Sequence, residues 1–262
     1  MAKIGFFIMS ANQDLFCEES KILKEYYHKV IDDKKYDIEL YSFTSDENSD
    51  KVYEDGDTIY CPCDDRNTFL KNKLLYDYII ENKHYDKILI TNTSTLINFD
   101  HMYDFILKFN QRAFCCSSTA RGIMCHPQGN VRIMPFEVLK AMNSVFQGAR
   151  DALYPFWKFL YGDWPYRLKD MSDDAVTGIA LFKLRIPWLE FPRECYGTLY
   201  KYHDSNIVTV NDWNRLYWLT FRMVAYENSG NEINDGALED SNYRLSNEPT
   251  LLKNIIEKIQ QV

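Results

Sequence analysis

Three short strand-like runs separated by helical patterns are the feature that most constrains the fold of this chain. Lys3 to Met9 is a continuous apolar run, Tyr36 to Phe43 alternates as a strand does, and Lys87 to Thr91 (KILIT) has the pattern of a short buried strand. Apolar residues at helical spacing fill Glu18 to Val30 and Asp64 to Lys83, between these runs. Strands that alternate with helices in this way predict βαβ units and a largely parallel sheet.

The predicted topology also locates a binding crevice. In parallel α/β sheets, ligands bind beyond the carboxyl ends of the strands. A fourth short strand, Thr58 to Cys61, ends at Pro62. The loops Ser10 to Asn12, Pro62 to Arg66 and Asn92 to Thr95 therefore lie around one crevice.

The second half of the chain is less regular. Val131 to Met134 suggests a strand after a turn at Gly129-Asn130, and Pro135 opens a helix that continues to Asn143. The aromatic stretch Leu153 to Pro165 is typical of a lid or wall. The remaining predictions are an exposed loop at Thr44 to Asp57, a strand at Pro187 to Phe191, and helices at Asn211 to Glu227 and Leu251 to Ile259.

Composition excludes several classes of protein. Among 262 residues, 46% are hydrophobic and 26% charged, which is typical of a globular domain. The net charge of −8 argues against a nucleic-acid binder, and no apolar run has the length of a membrane span. Seven cysteines, an odd number without paired zinc-ligand spacing, predict free thiols and a cytoplasmic location.

Three stretches, in order along the chain, resemble small glycosyltransferase A enzymes of the fringe and β-1,3-galactosyltransferase kind. Asp65 to Lys73 (DRNTFLKNK) resembles the donor-side helix of that family. Tyr85 to Ile106 is similar to the strand and loop that carry its acidic metal-binding motif. Ser172 to Ile186 (SDDAVTGIALFKLRI) is similar to the acidic helix start that supplies its catalytic base.

The resemblance implies a glycosyltransferase A-type fold, which is Rossmann-like, with a mixed, mostly parallel central sheet flanked by helices. It implies one domain over residues 1–262, in which 1–110 bind a nucleotide sugar and 111–262 hold the acceptor and catalytic groups. The implied reaction is sugar transfer from a nucleotide-diphospho-sugar, with UDP as the expected nucleotide, to a glycan or glycoconjugate. Inversion at the anomeric carbon follows from the resemblance alone.

The acidic pair Asp173-Asp174 is the candidate catalytic centre. An inverting transfer needs a carboxylate that takes the proton of the attacking acceptor hydroxyl. The resemblance gives Asp174 this role and places Asp173 beside it. The alternative is a helix cap favoured by the helix dipole, and the two roles are compatible.

The chain departs from the family at the metal motif. Where the family has Asp-x-Asp, this sequence has Asn92-Thr93-Ser94, whose neutral oxygens are poor ligands for Mn²⁺ or Mg²⁺. Either cationic side chains neutralise the diphosphate, or other groups hold a metal, with His203 as a candidate, or activity has been lost. The cationic candidates are Arg66, Lys73, Arg121 and Lys201.

The other predicted site residues follow from the crevice and the resemblance. Donor contacts are expected from Ser10, Asn12, Asp65, Arg66, Lys73, Asn92, Thr93 and Ser94. Trp164 and Tyr166 are candidates for stacking on an acceptor sugar, although aromatic residues beside proline also form cores and lids. Two other hypotheses remain open: a catalytically inactive sugar- or nucleotide-binding relative, and an unrelated doubly wound enzyme.

Overall fold

The computed structural model describes residues 2–93, 95–120, 125–161, 173–190, 196–201, 220–225 and 248–260. These residues form two sheets and six helices. In chain order the elements are β1 (Ile4–Met9), α1 (Asp14–Lys34), β2 (Ile38–Ser45), β3 (Tyr53–Asp55), β4 (Thr58–Cys61), α2 (Thr68–Asn82), β5 (Lys87–Asn92), β6 (Thr95–Ile97), α3 (Phe99–Lys108), β7 (Phe114–Ala120), β8 (His126–Pro135), α4 (Phe136–Tyr161), α5 (Asp173–Leu184), β9 (Trp188–Glu190), β10 (Tyr196–Lys201), β11 (Thr220–Ala225) and α6 (Glu248–Gln260).

The central sheet has eight strands in the order β3-β4-β2-β1-β5-β8-β7-β9. Strand β1 pairs in parallel with β2 and β5, β2 with β4, and β7 with β9. Strand β3 at one edge and β8 between β5 and β7 run the opposite way. The predicted mixed, mostly parallel sheet flanked by helices is confirmed. A second sheet has the order β10-β11-β6.

Helices cover both faces of the central sheet. Successive residues of β1 show why, since Phe6 and Phe7 are both fully buried but belong to different hydrophobic clusters. The cluster around Phe6 includes residues of α1, α3 and α6, whereas the cluster around Phe7 includes residues of α2, α4 and α5. A strand buried on both faces reads as a continuous apolar run, as β1 does. No helix in the described ranges is long and apolar enough to cross a bilayer.

Four sequence predictions about local structure are wrong, in whole or in part. The exposed loop predicted from Thr44 to Asp57 instead begins with buried residues of β2 and contains β3. Gly129 and Asn130 lie within β8 rather than in a turn. Pro135 ends β8 instead of opening the helix, and α4 continues far beyond Asn143. Within the predicted helix Asn211 to Glu227, the described part is the strand β11, because it pairs with β10 and β6.

The strand directions bring several loops to one edge of the sheet. Strands β1, β2, β4 and β5 all end at this edge, which is therefore their carboxyl edge. Strand β8 is antiparallel to β5, so it starts there. The starts of helices α2 and α5 lie near the same edge. Lys71 of α2 contacts Ser10 after β1, and Asn72 of α2 contacts Asp173 at the start of α5. This is the edge at which open α/β sheets bind ligands.

Candidate functional site

The loop after β1 is held against the neighbouring strand. The backbone amide of Ser10 donates to the Phe43 carbonyl at 2.8 Å, and the Ser10 hydroxyl donates to the Phe16 carbonyl at 3.2 Å. The side-chain amide of Asn12 donates to the carbonyl of Ser45, and its oxygen accepts from the Thr44 hydroxyl at 3.1 Å. The predicted donor-side loop therefore has a fixed position beyond the ends of β1 and β2.

A buried lysine of α2 completes the fixation of this loop. The Lys71 side chain is only 2% exposed, and its ammonium donates to Asp65 Oδ1 at 2.7 Å and to the Ser10 carbonyl at 3.1 Å. Asp65 Oδ2 accepts from the backbone amide of Asn12 at 2.8 Å. Asp65 thus joins the loop after β1 to the first turn of α2, and both of its carboxylate oxygens take part.

The next residue of α2 reaches the acidic pair. Asn72 is fully buried, and its amide donates to Asp173 Oδ2 at 3.0 Å and to the Thr68 carbonyl at 2.9 Å. Through Lys71 and Asn72, two successive residues of one helix connect the loop after β1 with the start of α5. The structure therefore brings Ser10, Asn12, Asp65 and Asp173 into one polar region.

A buried arginine of β8 binds both carboxylates. Arg132 Nη2 donates to Asp173 Oδ2 and, at 2.7 Å, to Asp174 Oδ1. Its Nη1 donates to the hydroxyl of Tyr76 at 3.2 Å. Burial disfavours the charge of Arg132, but Asp173, Tyr76 and Asp174 favour it more strongly, so the pKa of Arg132 is raised above its usual value. Burial also raises the pKa of the Tyr76 phenol.

Close packing holds α5 over β8. Gly178 lies so near to the start of β8 that a Cβ added there would be 2.8 Å from the Cβ of His126 and 3.3 Å from its Cα. The first turn of α5 carries both acidic residues, and the amino end of a helix favours negative charge. Asp173 is buried, whereas the Asp174 side chain is 22% exposed. Both the cap and the base interpretations are compatible with this placement.

The loop after β5 lacks acidic ligands. Asn92 Oδ1 accepts from the Thr95 hydroxyl at 2.8 Å, and the buried Thr93 donates its backbone amide to the Met9 carbonyl at 3.2 Å. Ser94 lies outside the described residues. In the part of the chain that the structure describes, no three His, Cys, Asp or Glu side chains are grouped as metal ligands. The neutral oxygens here do not fit a hard divalent cation, which prefers carboxylates.

Of the other predicted site residues, Lys73 is engaged elsewhere, Arg66 is exposed beside Asp65, and several lie outside the described residues. The Lys73 ammonium is bound by both carboxylate oxygens of Asp77 at 2.6 Å, one turn further along α2. Arg66 is exposed, and its backbone amide donates to Asp64 Oδ1 at 2.8 Å. Residues outside the described ranges are Arg121, Trp164, Tyr166 and His203, and the side chain of Lys201 is not described either.

Two functional candidates emerge from the structure and not from the sequence patterns, Lys71 and Arg132. Lys71 lies on the buried side of α2 with Leu75. A lysine within the apolar stripe of a predicted helix is the sequence feature that could have identified it. Arg132 lies between the buried apolar residues Val131 and Ile133. A charge inside a predicted buried strand marks a group that needs a partner.

Comparison of the sequence with known proteins identifies no family, whereas comparison of the structure finds several similar proteins. No protein-family model matches the chain, and no curated protein matches it. The structure is similar to a glycosyltransferase involved in the glycosylation of the major capsid of PBCV-1, with a TM-score of 0.46 and 11% identity, over 99% of this chain and 100% of that one.

It is also similar to the glycosyltransferase GlyE of Streptococcus pneumoniae TIGR4, with a TM-score of 0.41 and 9% identity, over 72% of this chain. The apo form of GlyE gives a TM-score of 0.39 and 11% identity, again over 72% of this chain. The matched region spans 46% and 45% of the two GlyE chains, which is less than half of their length.

Proposed function

We propose that the chain transfers a sugar from a nucleotide-diphospho-sugar, with UDP as the nucleotide, to a glycan or glycoconjugate acceptor. The observation that carries the proposal is the connection made by α2. Lys71 contacts the loop after β1, where a donor is expected, and Asn72 contacts Asp173. The loop assigned to the donor and the acidic pair assigned to catalysis thus share one edge of the sheet, as a transferase requires.

In this proposal Asp174 is the general base. It takes the proton of the acceptor hydroxyl while that oxygen attacks the anomeric carbon from the face opposite the leaving diphosphate, so configuration inverts. The partly exposed side chain of Asp174 makes it the member of the pair that a substrate reaches, since Asp173 is buried. The role of Asp173 is to accept hydrogen bonds from Arg132 and Asn72.

The donor side uses the loop after β1. Ser10 and Asn12 are fixed by contacts to β2 and to Asp65, so their position is set before a ligand arrives. A site that is already ordered loses less conformational entropy when it binds. We assign this loop to the nucleotide and the exposed Arg66 to the diphosphate, as a charge-assisted hydrogen-bond donor.

The proposed transfer is independent of a divalent cation. The loop after β5 supplies amide and hydroxyl oxygens, and Asn92 Oδ1 already accepts from Thr95. Such ligands bind Mg²⁺ or Mn²⁺ weakly compared with carboxylates. Cationic side chains then neutralise the leaving diphosphate.

The second candidate function is a binding module that retains the fold without turnover. It is favoured by the same neutral loop, Asn92-Thr93-Ser94, since loss of an acidic motif removes a catalytic element while leaving a binding crevice. A transferase and a nucleotide-binding module both bind UDP, so turnover distinguishes them.

The test compares Asp174→Asn with the wild type. Release of UDP from UDP-glucose, UDP-galactose and UDP-N-acetylglucosamine is measured in EDTA and in Mn²⁺, with added glycans as acceptors and with water alone, and UDP affinity is measured by calorimetry. We expect turnover in EDTA and a loss of about 10²- to 10⁴-fold in Asp174→Asn, with UDP affinity retained. Asp104→Asn, an exposed change on α3, is the matched control.

The possible outcomes separate the two candidates. Binding of UDP without turnover in the wild type would favour the binding module. If UDP bound neither in EDTA nor in Mn²⁺, both the transferase and a nucleotide-binding module would be contradicted.

A further inference from the structure

Two tyrosines stack on each other at the carboxyl edge of the central sheet. Tyr60 is the residue before the last of β4, and Tyr53 is the first residue of β3. The two are register partners, and their ring centroids lie 4.8 Å apart with an interplanar angle of 11°. Both residues are half-buried. The Tyr53 hydroxyl donates to Asp46 Oδ2 at 2.9 Å, which fixes the outer ring of this tyrosine pair.

The tyrosine pair lies on the same face of the sheet as the side chain of Asn12. Tyr60 is the register partner of Thr44 in β2, so their side chains share a face. The Thr44 hydroxyl donates to Asn12 Oδ1 at 3.1 Å. A row of side chains therefore continues from the loop after β1 to the edge of the sheet. Because β4 lies between β3 and β2, the Tyr60 ring has Tyr53 on one side and the much smaller Thr44 on the other.

Helix α1 covers this face of the sheet further from the carboxyl edge. Two residues before the row of the tyrosine pair, the hydroxyls of Ser42 and Thr58 lie 3.0 Å apart, and the Lys24 ammonium of α1 donates to Thr58 at 3.1 Å. Cys17 of α1 is exposed and lies about 10 Å closer than Lys24 to the helix start, at 1.5 Å per residue. The tyrosine pair is therefore beside the exposed start of α1, where a ligand has access.

Carboxylates surround the tyrosine pair. Burial is the main reason that the pKa of the Tyr60 phenol is raised, and the nearby carboxylates of Asp55, Asp46 and Asp57 raise this pKa further. Lys24 is bound to Asp57 at 2.5 Å. Like charges repel across a binding surface, so these carboxylates disfavour a phosphate beside the tyrosine pair. A neutral planar group that carries N–H donors is compatible with them.

We propose that Tyr60, supported by Tyr53, is the stacking platform for the base of the donor nucleotide. This assignment rests on the proposed sugar-nucleotide function and names the residue that binds the base. A planar base placed over Thr44 lies against the ring face of Tyr60 that Tyr53 does not cover. The diphosphate then extends away from the carboxylates, toward the exposed Arg66 of the loop after β4.

A cycle of two ligands and two proteins tests the stacking. UDP and 5,6-dihydro-UDP, whose base is puckered and not aromatic, are titrated by calorimetry into the wild type and into Tyr60→Ala. We expect Tyr60→Ala to weaken UDP binding by about 10- to 100-fold, because an aromatic platform is lost. The same variant should bind dihydro-UDP almost as the wild type does. Tyr60→Phe keeps the ring and should bind UDP within about 2-fold of the wild type.

The dihydro-UDP arm separates stacking from a purely structural role. A structural role of Tyr60 would weaken the binding of both ligands by the same factor, and equal losses would overturn the proposal. If Tyr60→Ala does not fold, Tyr60→Leu gives the same comparison, because it keeps the bulk of the side chain without a planar ring. The wild type alone supplies a further check, since equal affinities for UDP and dihydro-UDP would also overturn the proposal.

Tyr36→Ala is the matched control. Tyr36 lies just before β2, at the opposite edge of the sheet, and its ring stacks on Tyr103 with centroids 4.0 Å apart and an interplanar angle of 23°. This variant also loses a half-buried ring from a stacked pair of tyrosines. We expect reduced stability with unchanged affinity for UDP. A loss of UDP affinity as large as that of Tyr60→Ala would overturn the proposal.

The kinetic test applies to the transfer itself. With UDP-sugar as substrate, Tyr60→Ala is expected to raise KM and to leave kcat nearly unchanged, because stacking of the base is the same in the ground state and the transition state. Loss of kcat at an unchanged KM would contradict the proposal.

Failure of the platform and failure of the proposed function give different results. Turnover of a UDP-sugar with equal losses for UDP and dihydro-UDP would overturn the platform and leave the transferase standing. A selective loss for UDP without turnover would support the platform and favour the binding module. If none of UDP, ADP, GDP and CDP bound to the wild type, the platform and the proposed function would both be overturned.

Discussion

Replacement of Lys71 by Met tests whether the loop after β1 is fixed by a buried ion pair. Lys71 is 2% exposed and its partner Asp65 is 18% exposed. Removal of one member of a buried pair costs about 3–5 kcal/mol when the remaining charge is fully enclosed. Water reaches the exposed part of Asp65 and reduces this cost. We therefore expect a loss of about 2 kcal/mol in the free energy of unfolding.

Lys73→Met is the matched control, because the same change is made two residues away on the same helix. Lys73 pairs with Asp77 one turn along, and their side chains are 22% and 39% exposed. Such a pair is worth about 0.3–0.5 kcal/mol. Urea denaturation followed by circular dichroism measures both variants, and UDP titration should show weaker binding for Lys71→Met than for Lys73→Met. Equal loss of stability in the two variants would refute the reasoning.

Three further predictions follow from packing and pKa shifts. Gly178→Ala should destabilise the fold and reduce UDP-sugar turnover, because a Cβ there would lie 2.8 Å from a side chain of β8; thermal unfolding and the UDP-release assay measure both effects. Burial raises the pKa of Cys61 to about 12, so iodoacetamide at pH 8 should label exposed Cys17 before Cys61, as mass spectrometry would show. Burial opposes the charge of Asp57, but its bonds to Lys24 and His28 lower its pKa below the usual value of an aspartate. The stability from these bonds is therefore present above that usual pKa and lost as pH falls through the lowered pKa, and acid titrations of Lys24→Met should show a smaller loss than those of the wild type.

The central parallel strands were predictable because of how parallel strands are buried, whereas β3 and β7 were not predicted. Strands β1 and β5 are covered by helices on both faces, so all of β1 and the centre of β5, Ile88 to Ile90, are apolar and stand out from the sequence. Their alternation with α1 and α2 was enough to predict the parallel core of the sheet. The carboxyl-edge loops followed from the same topology.

The predicted helix at Asn211 to Glu227 shows where local patterns fail. Its described part, β11, pairs in parallel with β10 and antiparallel with β6, which lies more than a hundred residues earlier in the chain. Such non-local pairing outweighs the local preference of the residues. Helical spacing over this segment could not reveal either partner.

The acidic residues of the site could be predicted from the sequence, but the side-chain contacts that join them to other elements could not. The acidic start of α5 was visible as Asp173-Asp174, but its partner Arg132 is 41 residues away along the chain. Lys71 and Lys73 are both lysines on α2, and only the structure shows that Lys71 is the one that contacts Asp65. Contacts between side chains of different elements depend on how the helices pack on the sheet.

A crystal structure with a bound UDP-sugar tests the central claim most directly. The account predicts that the nucleotide lies beside Ser10 and Asn12, that the diphosphate contacts cationic side chains, and that the anomeric carbon faces Asp174. A nucleotide bound away from the carboxyl edge of β1 and β5 would contradict the account. So would a diphosphate held by a metal ion on Asp173 and Asp174, because that would occupy the proposed base.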